Sequence, residues 1–308
     1  KIGEYYVLNP PYKNIVDYCM EHKIAMMLSY YSDKKTAYDN FLKPRKERAE
    51  KGLENGKLFM DSGAFTAWTK GATIDVDEYC NYISEYGEYV DYFGQLDTIP
   101  KVGGTVKEAE EAAKSTLENY KYMVSKVKYP EKVVFTFHVG EPIEVLKEAL
   151  TWGKEHKDIM KMIAIGGMVK KNADDKHSVI SRVFSAIREI YPEVKVHLFG
   201  CTSKQYFLDY PATSGDSSNY IMSATKGGVW TPGGLYGFGE KKDKNHYLLQ
   251  RYDVKEAIDK YLEEIGMPAE LLMEHAKHRL LANIKYIERE FYLKKVENKT
   301  RRQTRRLF

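Results

Sequence analysis

Several apolar runs in this chain stop on residues that can do chemistry. They are Phe59-Met60-Asp61-Ser62-Gly63, Gln95-Leu96-Asp97, Ile163-Ala164-Ile165-Gly166-Gly167 and Val196-His197-Leu198-Phe199-Gly200, the last leading on to Ser214-Gly215-Asp216-Ser217-Ser218. One carboxylate beside glycine and serine proves little. If the runs are parallel strands, however, their ends gather several carboxyl groups on one rim. Two carboxyl groups so placed can divide acid–base work, one ionised to attack or stabilise an electron-poor carbon and one protonated to donate to a leaving group.

Each residue also has a plainer reading. An isolated Asp-Ser-Gly at Asp61 reads first as an Asx-turn or helix cap, and second as a carboxylate on a tight turn with Phe65 free to stack on a planar ring. Asp97, before Thr98-Ile99-Pro100, is either a cap or an acceptor for the N–H groups of a flat substrate. Gly166-Gly167-Met168 is a plain turn, or one that lets backbone N–H groups approach a ligand oxygen. His138 is either a satisfied core histidine or part of the site. The paired glycines Gly227-Gly228 and Gly233-Gly234 match neither the P-loop nor the dinucleotide fingerprint, and there is no H-E-x-x-H, so no nucleotide cofactor or metal is indicated.

Positioning these residues requires a regular scaffold. Apolar runs at 24–28, 57–61, 89–97, 133–138, 160–165 and 194–199 read as strands, and 36–52, 105–127, 141–156 and 175–191 as helices between them. Thr105 opens a capping-box pattern, and Asp75 or Asp77 caps a further helix. Runs without polar alternation indicate strands buried on both faces, and strand–helix alternation leaves a closed (β/α)₈ barrel or an open doubly wound sheet. Polar residues recur at nearly every strand end, which favours the TIM barrel, because an open sheet concentrates its site at one switch point. On this reading 1–9 is a capping strand, 220–223 and 227–238 supply the last two strands, and a long helix runs over 269–295. The barrel occupies 1–252, with C-terminal helices and a basic tail, 253–308, packed on it.

The chain has 308 residues, 43% of them hydrophobic, which is ample for one large domain. Net charge is +4, and the excess gathers at the end: Lys294, Lys295, Lys299, Arg301, Arg302, Arg305 and Arg306 face the single acid Glu297. Such a tail suits phosphate backbones, or is simply a solvated terminus. Lys170-Lys171 and Lys241-Lys242-Lys244 are further basic candidates. Cys19, Cys80 and Cys201 are widely spaced, so neither a disulfide framework nor a Cys-rich zinc site is indicated and a cytoplasmic setting is expected. No segment is long and apolar enough to span a bilayer, and no signal-peptide pattern opens the chain.

Taken together, the motifs at Asp61–Phe65, 95–97, 165–168, 197–200 and 215–218 resemble, in order and spacing, the tRNA-guanine transglycosylase superfamily, over about residues 24 to 225. The resemblance implies a (β/α)₈ barrel that exchanges guanine for a 7-deazaguanine at a nucleoside C1′ without breaking the strand. It implies Asp216 as nucleophile and Asp61 as general acid/base. Asp97 and the Gly166-Gly167-Met168 backbone would hold the guanine edge, with Ser62 and His138 in the same pocket and Phe65 and Phe199 sandwiching the ring. Lys294, Lys295, Arg301, Arg302, Arg305 and Arg306 would meet the polymer.

The sequence departs from that family in telling places. Members acting on tRNA carry a C-x-C-x-x-C zinc motif and a later His after the nucleophile, and none follows Asp216; Ala64 replaces the family's second glycine in the turn. Short zinc-less relatives resemble the 7-deazaguanine DNA transglycosylases of bacteriophages and bacterial DNA-modification clusters. DNA is therefore the expected polymer, in host cytoplasm if the protein is phage-encoded, with tRNA the alternative, and a homodimer or helper proteins are open partners. Two other classes compete. A different TIM-barrel enzyme such as an aldolase would need a Lys at a strand end, which these strands lack; a non-catalytic nucleic-acid-binding relative would not need both aspartates.

Overall fold

The computed structural model describes residues 3–98, 105–167, 173–241 and 243–294. Eight parallel strands close a barrel in sequence order: β1 (Glu4–Leu8), β2 (Met26–Ser29), β3 (Leu58–Asp61), β4 (Tyr92–Gly94), β5 (Val133–His138), β6 (Met162–Gly166), β7 (Lys195–Leu198) and β8 (Ser214–Ser217). Val7 pairs with Met26 at one end of the series and His197 with Ser214 at the other. The ring closes where the Glu4 N–H donates to the Thr213 carbonyl at 3.0 Å. The long apolar strands are buried as their composition demands: every residue of β6 and all of β5 but its last are shielded from water. Helices connect the strands and start where sequence chemistry says they should. Thr105 and Glu108 form a reciprocal capping box on Val106–Lys126, and the Asp75 carboxylate accepts from the Glu78 N–H at the start of Val76–Tyr86.

Two strand expectations are corrected. The expected capping strand over 1–9 is instead a stave of the barrel, β1, formed by Glu4–Leu8. The closing strand is β8, while 220–223 lies in the helix Asn219–Thr225 and 227–238 folds as a separate antiparallel hairpin, β9 (Gly228–Thr231) with β10 (Gly234–Gly237). The reason is compositional. Ser-Gly-Asp-Ser in β8 carries no apolar side chain, so hydrophobic patterning is silent there. The hairpin is loud, with Val229, Trp230, Leu235 and Tyr236 flanking a Pro232-Gly233 turn.

The chain forms two compact units, one holding the barrel through Asp216 and the other Ser217–Lys295. The second has its own core of Val229, Phe238, Ile258, Tyr261, Leu262 and Leu272. Asn283, fully buried, ties that unit together: its Nδ2 donates to the Tyr220 and Gly228 carbonyls and its Oδ1 accepts from the Trp230 N–H. The expected helix over 269–295 is broken into Ala269–Glu274 and Ala276–Ile287 by extended backbone at His275, and ends in a π-helical turn, Glu288–Leu293. No described helix is long and apolar enough to cross a membrane.

Candidate active site

The C-terminal ends of the strands carry the polar residues, as is general for this barrel. Asp61 is the last residue of β3. The chain leaves it through Gly63 at φ +75°, a left-handed conformation that a side chain would strain and where a Cβ would meet Tyr31 Cβ at 2.7 Å. The Gly63 N–H turns back to donate to Asp61 Oδ2 at 3.1 Å. On the neighbouring strand, Gly94 gives the carboxylate its room, because a Cβ there would stand 3.1 Å from Asp61 Oδ1. Burial, then the charge of Asp97 and, more weakly, that of Asp216, push the Asp61 carboxyl up to about 7 from its ordinary 3.8, against the backbone N–H groups of Gly63 and Ser62 that pull it down. Three acids far apart in sequence thus feel one another across the mouth.

Asp216 lies in β8 and is only 4% exposed. Its Oδ1 accepts from the Gly200 N–H at 3.0 Å and sits 3.2 Å from His197 Nε2. His197 is wholly buried on β7, with Nδ1 2.9 Å from Ser214 Oγ. With Nε2 donating to the carboxylate, Nδ1 accepts from the Ser214 hydroxyl, a tautomer inferred from the network. Both donors converge on one oxygen, and among the described residues Oδ2 takes no hydrogen bond. Gly215 is needed beside it, since a Cβ would stand 3.0 Å from the Leu198 carbonyl.

Asp97 follows β4 on a loop tied to the helix Val106–Lys126 by Thr98 N–H donating to Thr116 Oγ1 at 3.1 Å and Gln95 Nε2 donating to the Thr116 carbonyl at 3.2 Å. Its Oδ2 lies 3.2 Å from His138 Nε2, and its Oδ1 is buried with no hydrogen-bond partner among the described residues. His138 ends β5, and its Nδ1 is 3.1 Å from Glu141 Oε1. Burial alone would lower this imidazole, but Asp97 and Glu141 together outweigh it and push it up to about 10. Its contribution to stability is therefore full below pH 6.5 and lost as pH rises through about 10.

The remaining residues divide. Gly166 sits beside His138 in register and leaves space for it, since a Cβ there would fall 2.8 Å from the imidazole Cδ2. Gly167 is exposed at φ +77°. Ser62 is buried, its Oγ accepting from the Ala64 N–H at 3.3 Å within its own turn. Phe65 is 59% exposed on the first turn of the helix Ala64–Thr69, with its ring 6.0 Å from Trp68; the half-buried Phe199 ring lies edge-on to Phe59 and His197 at 5.7 and 5.0 Å. Lys294, exposed, reaches Glu290 at 3.3 Å, and Lys241 and Lys244 are exposed. Met168, Lys170, Lys171, Lys242, Lys295, Lys299, Arg301, Arg302, Arg305 and Arg306 lie outside the described residues. Among the described residues no three His, Cys, Asp or Glu side chains gather as metal ligands would.

The sequence placed His197 in a motif without giving it a role, and Glu141 and Gly94 drew no notice as site residues. A histidine inside Val-His-Leu of a buried strand, and an acid three residues past His138 across Gly140, were the available signals.

The fold is a (β/α)₈ barrel, and its C-terminal mouth carries three acids: Asp61, within electrostatic reach of the other two, Asp216, and Asp97 beside His138. A scan against protein-family models finds no match to this chain, and neither does a search of curated proteins.

Proposed function

We propose that the protein is a base-exchange transglycosylase that replaces guanine in DNA with a 7-deazaguanine derivative through a covalent Asp216–glycosyl intermediate. What supports this reading is that Asp61, pushed up to about 7, ends β3 within electrostatic reach of Asp216 on β8, so that a proton donor near neutrality and a second carboxyl group can serve one mouth. Displacing guanine builds positive charge at C1′ and negative charge on the departing purine. Asp216 Oδ2 attacks C1′ while Oδ1 is steadied by Gly200 and His197, and Asp61 protonates the leaving base. The incoming deazapurine returns its N9 proton to Asp61 and takes the sugar back with overall retention.

Asp97, with one oxygen free, would accept from the guanine N1–H and amino group; adenine offers a lone pair at N1 instead. Exposed Phe65 would stack on the flipped base and offset part of the unstacking cost. DNA rather than tRNA is chosen on the sequence, because no C-x-C-x-x-C segment follows Asp216.

Incubation with labelled guanine and either duplex or single-stranded DNA, or tRNA, tests the reading. Label entering DNA at guanine positions, with an adduct on denaturing gels, is the expected result. Label entering tRNA alone moves the substrate to RNA, and label in neither polymer removes the transglycosylase reading.

A further inference from the structure

We propose that His138 and Glu141 form a positioning pair that ties back one oxygen of Asp97 and leaves the other, Oδ1, as the acceptor for an N–H of a flat heterocyclic base. The inference rests on the base-exchange reading and adds to it how the base edge is selected. Its starting point is the buried Asp97 Oδ1, which has no hydrogen-bond partner among the described residues although a carboxylate oxygen removed from water demands one. A ligand N–H would satisfy it.

The geometry around His138 explains why this oxygen alone is open. Both ring nitrogens are engaged, Nε2 by Asp97 at 3.2 Å and Nδ1 by Glu141 at 3.1 Å. An imidazole that donates through both nitrogens is the cation, and it has no edge left for substrate. Glu141 also grips the backbone of the residue it orients: Oε2 accepts from the His138 N–H at 2.8 Å, and the Glu141 N–H donates to the His138 carbonyl at 3.0 Å. Gly140 at φ +112° permits that tight return. The glutamate side chain is 7% exposed, deeper than a purely solvated acid would sit.

Among the described residues, the titratable groups around this cluster are Asp97 from the loop after β4, Glu141 from the loop after β5, Asp61 from β3, buried Tyr79 beside Asp61 and Asp97 and, through Asp61, Asp216 from β8. None of these is basic, so among the described residues the His138 cation supplies the positive charge of the cluster. A base with N–H beside its carbonyl, such as guanine or hypoxanthine, meets Oδ1 as donor to acceptor. Adenine would set a lone pair against it.

Equilibrium dialysis of labelled guanine and labelled adenine against the full chain, carrying Glu141→Gln or His138→Gln, tests the pair. Glu141→Gln keeps an oxygen to accept the His138 N–H while removing the charge. Guanine affinity is expected to fall about tenfold, the scale of one hydrogen bond to a charged group, with adenine binding unmoved. Guanine binding should also fail at lower pH than in the unaltered protein, because one of the two acids retaining the imidazole proton has gone. Unchanged guanine affinity and pH profile would overturn the proposal, and so would an equal loss for both bases, which marks a mere structural prop. If the unaltered protein binds no guanine, the base-exchange reading falls and this proposal with it.

Discussion

Asp61 and Asp216 share one barrel mouth and live in opposite surroundings. Asp61 is met by backbone N–H groups and by the charges of two other acids, with no basic side chain against it among the described residues. Asp216 is met by an imidazole and an amide on the same oxygen. On the base-exchange reading, the contrast teaches that two chemically identical side chains would acquire different work from their neighbours: the one among acids would keep a proton to give, and the one among donors would be held still for attack.

The comparison can be broken outright at Asp216. Asp216→Asn keeps the shape and both hydrogen-bond partners but removes the nucleophile, so exchange should drop at least about 10⁴-fold and the adduct should vanish; exchange surviving within tenfold would reassign the nucleophile. Asp61→Asn should cost roughly 10²- to 10⁴-fold, as loss of a general acid does. It should also erase the decline in rate expected of the unaltered protein above about pH 7 as Asp61 loses its proton. Stability carries the same sign. A carboxyl raised from 3.8 to about 7 by folding contributes stability that is full below 3.8 and lost as pH rises through about 7. The melting temperature of Asp61→Asn should therefore gain on that of the parent as pH rises from about 4 to about 7, and parallel melting curves across that range would place Asp61 outside any desolvated site. Smallest is His197→Gln, which weakens one hold on Asp216 and should slow adduct formation about 10- to 100-fold while leaving the affinity for free guanine intact. Affinity and rate falling together would make His197 a prop for the whole mouth.

Much of this arrangement was legible in the chain because buried parallel strands write themselves as apolar runs. β5, β6 and β7 lie where those runs predict, and the Thr105 and Asp75 caps sit where side-chain chemistry demands. Legibility failed at both ends of the barrel. β8 consists of Ser, Gly, Asp and Ser, so no hydrophobic signal distinguishes it from a loop; the stronger pattern at Val229–Tyr236 competed for the same role. Site residues were legible when they were acids at the end of such runs. The support for those acids was less so: the match between Gly94 and Asp61, or between Gly166 and His138, exists only between adjacent strands and leaves no trace in local spacing.

The β8 seam has a further consequence. β5 and β6 align continuously from Phe135 with Ile163 to His138 with Gly166, whereas β7 and β8 align His197 with Ser214 and Leu198 with Gly215 alone. The staves that bear Asp216 and its imidazole are thus joined by the shorter ladder, without apolar side chains on β8 to reinforce it. Partial opening along that join would draw Asp216 away from its donors while β5 and β6 stay paired. Amide exchange should run faster on β8 than on β6, and catalytic competence should disappear in mild denaturant ahead of the cooperative collapse of the domain.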